Sequence, residues 1–292
     1  MTERRSTTKP HTKKKKMLNN LLSLLIKGGI DDAEATFDVL CAYVLNLDYS
    51  QLRLRRVTKT LVLSDEQEKE LLSLVERRCS GEPLEYITGE REFYGFSFRC
   101  KKNVLIPRND TEILVDAVLD VARDGDCLLD LCTGTGCIGI SVAKSKEINA
   151  VLADISDDAL SCSRENIERL GVSDKVTAVY HNVFSDTPSA VFDIITSNPP
   201  YITVDEMKEL PKDVQNEPAL ALFGGEDGLD FYRVISERYK PYIKNGGYIF
   251  FEVGYKQSAD VSSILEKNGY TNIKTKKDYN NTERVVFARN SL

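Results

Sequence analysis

Gly134, Gly136 and Gly139 stand in the spacing G-x-G-x-x-G within "DLCTGTGCIG", and Asp154 closes the next apolar run. A glycine-rich turn from strand to helix lets the backbone approach a ligand closely and aims free N–H groups at it. A carboxylate at the end of the second strand can accept hydrogen bonds from ribose hydroxyls. The combination calls for an adenosine-bearing cofactor. It suits a nicotinamide dinucleotide and S-adenosylmethionine equally, because each carries an adenosine ribose. Glycines that serve only close helix–strand packing would not need the loop, the strand and Asp154 in this order.

A second segment separates the two cofactors. "FDIITSN" runs into Asn198, Pro199, Pro200 and Tyr201. In an open α/β sheet the carboxyl ends of the strands border the ligand crevice, so this segment should face the cofactor. Two prolines stiffen the turn and remove two donors. What remains is mostly acceptor, the Asn198 side-chain oxygen and a backbone carbonyl, with the Tyr201 ring offering a flat face. A planar –NH2 group, on a carboxamide or a nucleobase, has two hydrogens to give and a delocalised, poorly nucleophilic lone pair. Two fixed acceptors would hold both hydrogens and direct that lone pair at an electrophilic methyl. The reactivity of that methyl belongs to a sulfonium cofactor, so neither a metal nor a catalytic histidine is required.

These residues need a scaffold, and the pattern supplies one. Strands are expected at Cys127–Leu131, Ala150–Asp154, Lys175–Tyr180, Phe192–Ser197 and Tyr248–Val253. Helices are expected over "RNDTEILVDAVLDVA" and at about Ile138–Lys144, Asp157–Leu170, Leu229–Tyr239 and Gln257–Asn268. Such alternation implies a parallel, doubly wound sheet. "TNIKTKKD" and "ERVVFAR", joined by "YNNT", add a C-terminal antiparallel hairpin, which makes a mixed sheet of seven strands. Before it, Leu18 to about Arg78 has helical spacing, with Gly28-Gly29 as a break, Asp31 or Asp32 as a cap, and Ser64 with Gln67 as a capping box. From Tyr86 the composition turns aromatic and β-branched, which predicts a β-hairpin. The expected division is a disordered basic tail over 1–16, a helical substrate-docking domain over 17–85, a hairpin linker over 86–108 and an α/β domain over 109–292.

"DLCTGTG", Asp154 and "SNPPYI" together resemble the amino-methyltransferase branch of the S-adenosylmethionine-dependent methyltransferases. "GEPLEYITGEREFYG", "VLIPRNDTE", "NEPALALFGGEDGL", "FEVGYKQ" and "ERVVFAR" resemble the HemK/PrmC family from Gly81 to Arg289. The resemblance implies a Rossmann-like class I methyltransferase fold. It also implies methylation of the side-chain amide of the glutamine in the Gly-Gly-Gln motif of class-1 peptide chain release factors. Carried over by position, Cys132, Thr133, Gly134, Thr135 and Gly136 surround the methionine and ribose portion of S-adenosylmethionine, with Asp130 in support. Asp154 takes the ribose hydroxyls, Asn182 and Val183 touch adenine, Asn198 reaches both cofactor and substrate, and Asn198 to Tyr201 hold the glutamine amide. The sequence departs from the family at Asn182, commonly acidic there, and at Asn109, commonly proline.

Composition narrows the alternatives. The 292-residue chain has a net charge of −6, while residues 1–16 carry seven basic side chains against Glu3, leaving the remainder at −12. An acidic body repels a phosphate backbone, which disfavours methylation of a nucleobase in RNA or DNA. A glutamine in a ribosomal protein would use the same Asn-Pro-Pro-Tyr chemistry, so only the docking domain separates it from a release factor. A nicotinamide dehydrogenase would need a proton donor that is not evident, and a binding module would need no amide-holding loop. Cys127, Cys132 and Cys137 are evenly spaced, but two histidines and no C-x-x-C pair argue for small residues beside a tight loop and no metal. Seven cysteines without a secretory signal imply reduced thiols in a cytoplasm, no apolar run has the length of a membrane span, and a monomer is the default.

Overall fold

The structure, a computed structural model, describes residues 10–278 and 280–291, and residues 1–9 of the expected tail lie outside them. The chain divides after Thr88 into two units. The first is helical: α1 (Pro10–Lys27), α2 (Ala33–Leu45), α3 (Tyr49–Val57), α4 (Asp65–Cys79) and α5 (Leu84–Thr88). Its core is built from Leu25, Phe37, Leu40, Leu52, Leu71 and Val75, the residues at helical spacing. Capping boxes start two helices, Asp48 with Gln51 before α3 and Ser64 with Gln67 before α4. Asp32 holds the N-cap position of α2, where its carboxylate accepts from the Thr36 hydroxyl instead of a backbone N–H.

Two expectations change in this region. α1 begins at Pro10, so its first turns run through part of the stretch expected to be disordered. Tyr86–Thr88, expected as strand, is helical: α5 follows Pro83, whose carbonyl accepts from the N–H groups of Tyr86 and Ile87. Local turn bonding behind a proline outweighs the strand propensity of the side chains.

The second unit opens with a hairpin, β1 (Glu90–Phe93) and β2 (Phe96–Arg99). Phe93 and Phe98 are buried in the core of this unit, so the hairpin is part of it. There follow α6 (Glu112–Leu119), β3 (Cys127–Leu131), α7 (Cys137–Ser145), β4 (Asn149–Asp154), α8 (Asp157–Arg169), β5 (Val176–Tyr180), β6 (Phe192–Ser197) and the short α9 (Glu206–Glu209). Last come α10 (Asp230–Arg238), β7 (Ile243–Glu252), α11 (Ser258–Lys267), β8 (Thr271–Lys277) and β9 (Glu283–Arg289). The seven-stranded sheet has the order β5-β4-β3-β6-β7-β9-β8, parallel through β7 and antiparallel at β9 and β8. Strand order reverses between β3 and β6, where doubly wound sheets open a crevice at their carboxyl ends.

Neighbouring strand residues face opposite cores. Leu128, Ile194, Phe250 and Val285 pack with α6 and α7, whereas Leu129, Ile195, Phe251 and Val286 pack with α10 and α11. Burial on both faces explains why these strands are nearly continuous apolar runs. Among the described residues no helix is long and apolar enough to cross a membrane, and all seven cysteines are free.

Candidate active site

The turn between β3 and α7 is made by three residues in the left-handed region, Cys132 (φ 57°), Gly134 (φ 56°) and Gly136 (φ 82°). Glycine adopts that conformation without penalty, and Cys132 is held in it by the surrounding bonds. No heavy atom lies within 4 Å of where a Cβ on Gly134 would stand, so a side chain there would project into the cleft beside it. A Cβ on Gly139 would come within 2.3 Å of Leu152 Cδ2, so the third glycine serves the packing of α7 on β4.

Asp130 lies behind this turn, fully buried. Its carboxylate accepts from Thr133 Oγ1 (2.6 Å), Thr196 Oγ1 (2.9 Å) and Gly139 N (3.3 Å), which ties the loop, β6 and α7 together. Burial pushes its pKa up to about 6, against these three bonds, which pull it down. Asp154, at the end of β4, accepts from Gly134 N and Ser156 N, each at 2.9 Å. Those backbone bonds fix the carboxylate and leave it further lone pairs toward the cleft that it lines. Burial raises its pKa as well.

The cleft continues past His181, Asn182, Val183 and Phe184 to an edge-to-face pair of Phe184 and Phe231, ring centres 4.9 Å apart. His181 Nε2 is 2.6 Å from the Tyr239 hydroxyl, and burial lowers the histidine pKa, which favours the neutral ring. Asn182 Oδ1 accepts from Phe184 N at 3.0 Å, while its own N–H goes to Asp186. One lone pair of that oxygen is therefore already committed.

Asn198 borders this cleft and, with Leu105 and Ala221, a second, smaller cavity that Arg108, Pro199, Tyr201 and Ile202 also line. Asn198 Nδ2 donates one of its two hydrogens to Thr111 Oγ1 at 3.3 Å, which anchors the nitrogen end of the amide and leaves Oδ1 free to accept. The loop carrying Pro200 and Tyr201 is clasped from the far side. Ile202 N donates to Leu222 O (2.8 Å), Gly224 N donates to Ile202 O (2.9 Å), and Gln257 Nε2 donates to Tyr201 O (3.0 Å). Glu217 accepts from Ile106 N at 3.0 Å and pairs with Arg108, which lines the smaller cavity, so the two join segments far apart in sequence.

The structure thus brings Cys132, Gly134, Asp154, Asn182, Val183, Asn198 and Pro200 to one cleft, and Asn198, Pro199 and Tyr201 to its neighbour. Thr133, Thr135 and Gly136 do not line either; they shape the loop from behind, as Asp130 does. Cys132 lines the cleft, but burial raises the pKa of its thiol far above neutrality, which leaves it a poor nucleophile. Among the described residues no group of three or more His, Cys, Asp or Glu is arranged to hold a metal ion.

Residues 16–89 match the PrmC N-terminal domain, and residues 109–214 match the methyltransferase small domain. A release factor glutamine methyltransferase of Clostridium acetobutylicum is 40% identical over 257 residues, spanning 86% of this chain and 89% of that one. Another, from Thermodesulfovibrio yellowstonii, is 36% identical over 282 residues, spanning 94% and 99%. The chain belongs to the release factor glutamine methyltransferase family. Its fold is also that of a solved methyltransferase from Pyrococcus furiosus, at 17% identity and a TM-score of 0.54, over 74% of this chain and 98% of that one.

Three residues at this family member's site carry no signal in the sequence pattern read above: Thr111, Glu252 and Gln257. "RNDTE" and "FEVGYKQ" mark their segments, but only the fold shows that Thr111 meets Asn198 and that Gln257 fastens Tyr201. The residues present fit S-adenosylmethionine. The open space at Gly134, the anchored Asp154 carboxylate and the aromatic pair beyond Val183 match, in order, the needs of a methionine chain, a ribose and an adenine.

Proposed function

We propose that this protein transfers a methyl group to N5 of the glutamine in the Gly-Gly-Gln motif of class-1 peptide chain release factors. S-adenosylmethionine, when bound, supplies an electrophilic methyl on a sulfonium. Gly134 and Cys132 bound the cleft where it lies, Asp154 takes the ribose hydroxyls, and Asn182 with Val183 faces the adenine. Asp130 holds the loop in shape. Asn198 Oδ1 accepts one amide hydrogen of the substrate, and a carbonyl of the Pro199-Pro200 segment accepts the other. Held at both hydrogens, the amide nitrogen presents its lone pair along one axis, positioning replaces a strong base, and one of the two held hydrogens leaves as a proton by way of its acceptor to solvent once the nitrogen has gained the methyl group. Tyr201 packs against the amide plane.

The observation that carries this reading is the place of Asn198 at the junction of the two cavities, with one of its two Nδ2 hydrogens given to Thr111 and its Oδ1 left to accept. A free –NH2 group is what such a wall receives. The reading places the enzyme in a cytoplasm, as a monomer, with the first helical unit docking the release factor.

The test is methyl transfer from labelled S-adenosylmethionine to a purified class-1 release factor, beside its Gly-Gly-Ala variant, a ribosomal-protein extract and bulk RNA. Label on the wild-type factor and none on the variant is expected. Label only on the ribosomal proteins or the RNA would keep the chemistry and discard the acceptor.

A further inference from the structure

A cavity that takes a carboxamide must also refuse a carboxylate of nearly equal size and shape. Glutamine and glutamate differ there by one –NH2 group and one charge. Among the described residues lining the smaller cavity, Arg108 alone is charged. A bare guanidinium in that wall would favour the wrong ligand, because a carboxylate pairs with it through two parallel bonds.

The structure compensates that charge. Glu217 Oε1 accepts from Arg108 Nη2, and Glu217 Oε2 accepts from Ile106 N at 3.0 Å. The Glu217 side chain is 2% exposed and that of Arg108 is 38% exposed, so the acid is sealed while the arginine stays open to a ligand. A backbone N–H fixes the carboxylate, and the carboxylate fixes the guanidinium. Among the described residues only Glu217 receives from that guanidinium, so most of its five N–H donors remain available.

The turn that follows Arg108 ties it to the reacting site. Thr111 N donates to Arg108 O at 3.1 Å, and Thr111 Oγ1 accepts from Asn198 Nδ2 at 3.3 Å. Asn198 borders both cavities, whereas Arg108 borders only the smaller one. The arginine is therefore beyond Asn198 as seen from the cofactor cleft, on the side where the backbone of a peptide lies when its glutamine side chain reaches Asn198. A cationic donor on the side-chain carbonyl would draw the nitrogen lone pair into the amide π-system and slow its attack on the methyl. A donor on a backbone carbonyl has no such effect.

We propose that the pair of Arg108 and Glu217 selects a glutamine peptide: Arg108 donates to a backbone carbonyl beside the acceptor residue, and Glu217 holds it there while cancelling the charge that would draw a glutamate side chain into the cavity. Arg108 is a substrate-binding residue and Glu217 a positioning residue. This rests on the function proposed above.

Arg108→Lys keeps the charge and loses the planar fork. The KM for the release factor should rise about tenfold with kcat near the wild-type value, because a contact to a group that does not react serves ground and transition states alike. The Kd for S-adenosylmethionine should be unchanged. Glu217→Gln keeps the shape and leaves the guanidinium uncompensated. A release factor carrying Gly-Gly-Glu, added as an inhibitor of methyl transfer to the Gly-Gly-Gln factor, should bind Glu217→Gln about ten- to a hundredfold more tightly than the wild type, the worth of a hydrogen bond to a charged group. A folding defect cannot produce that gain. Adding Arg108→Met to Glu217→Gln should abolish it. Equal inhibition of wild type and Glu217→Gln, or a gain that persists in the double variant, would overturn the proposal. A wild-type KM in Arg108→Lys, or a cofactor Kd that changes in step with KM, would overturn it as well. Label on a ribosomal-protein glutamine in place of the release factor would discard the assigned acceptor, and the same competition between that protein and its glutamate form would then decide for or against the pair.

Discussion

At the scale of single residues, the site depends on side chains whose direction is fixed by backbone hydrogen bonds. Asp154 spends one lone pair on Gly134 N and another on Ser156 N, so its direction toward the cleft is set before any ligand arrives. Asp154→Ala should weaken S-adenosylmethionine binding by about ten- to a hundredfold, the worth of a hydrogen bond to a charged group, as read by titration calorimetry. The adenine end is built differently. Asn182 has one oxygen lone pair occupied by Phe184 N, so in the proposed reading it offers a base one acceptor pair and two amide hydrogens, where a carboxylate would offer acceptors alone. Asn109 accepts from Arg91 Nη2 at 2.9 Å and begins the turn into α6, a use of that position that proline would not permit.

At the scale of elements, what holds the reacting loop is close backbone approach. A Cβ on Gly228 would lie 2.4 Å from Tyr201 O, and Gly228 sits at φ +74°, so both space and conformation demand glycine. Gly228→Ala must displace the Tyr201 segment. Steady-state kinetics should show kcat reduced by about 10²-fold, the scale of a 1 Å misplacement, while cofactor Kd stays near the wild-type value, because Gly228 does not border the cofactor cleft. The hairpin of β1 and β2 illustrates the limit of reading elements in isolation. Its strands are plain in the sequence, but its place in the core is not: Arg99 N donates to Asn166 Oδ1 at 2.7 Å, and Asn166 Nδ2 donates to Thr135 O at 2.9 Å. One buried asparagine on α8 thus links the hairpin to the glycine loop.

At the scale of the whole molecule, two buried acids tie stability to pH. Glu252 is raised from 4.5 to about 7 and Asp130 from 3.8 to about 6, both by burial. A raised carboxyl pKa means the folded state binds the proton more tightly than the unfolded chain. Stability from these groups is fully present below their unfolded values and is lost as pH climbs through about 6 and about 7. Exposed carboxylates held low by partners, such as Glu165 beside Lys101 and Arg99, act in the opposite sense. The difference between wild type and Glu252→Gln isolates the buried acid. Calorimetry from about pH 4.5 to about pH 8 should show the variant gaining on the wild type as pH rises, by up to roughly 3 kcal/mol.

The sequence by itself determined the periodic and local features. The βαβ alternation, the C-terminal hairpin, the capping box at Ser64 and the G-x-G-x-x-G turn depend on near neighbours, and near neighbours are written in order along the chain. Asp154 and Asn198 were legible for the same reason, because each ends a strand whose length the apolar run sets. Tertiary structure alone decided the partners. Thr111 and Asn198 are 87 positions apart, and Arg108 and Glu217 are 109. It also decided which of the loop residues line the cleft, Cys132 and Gly134, and which do not, Thr133, Thr135 and Gly136. Whether a carboxylate such as Glu252 is solvated or sealed depends on what the neighbouring strands and helices bring around it, and no spacing within "FEVGYKQ" carries that information.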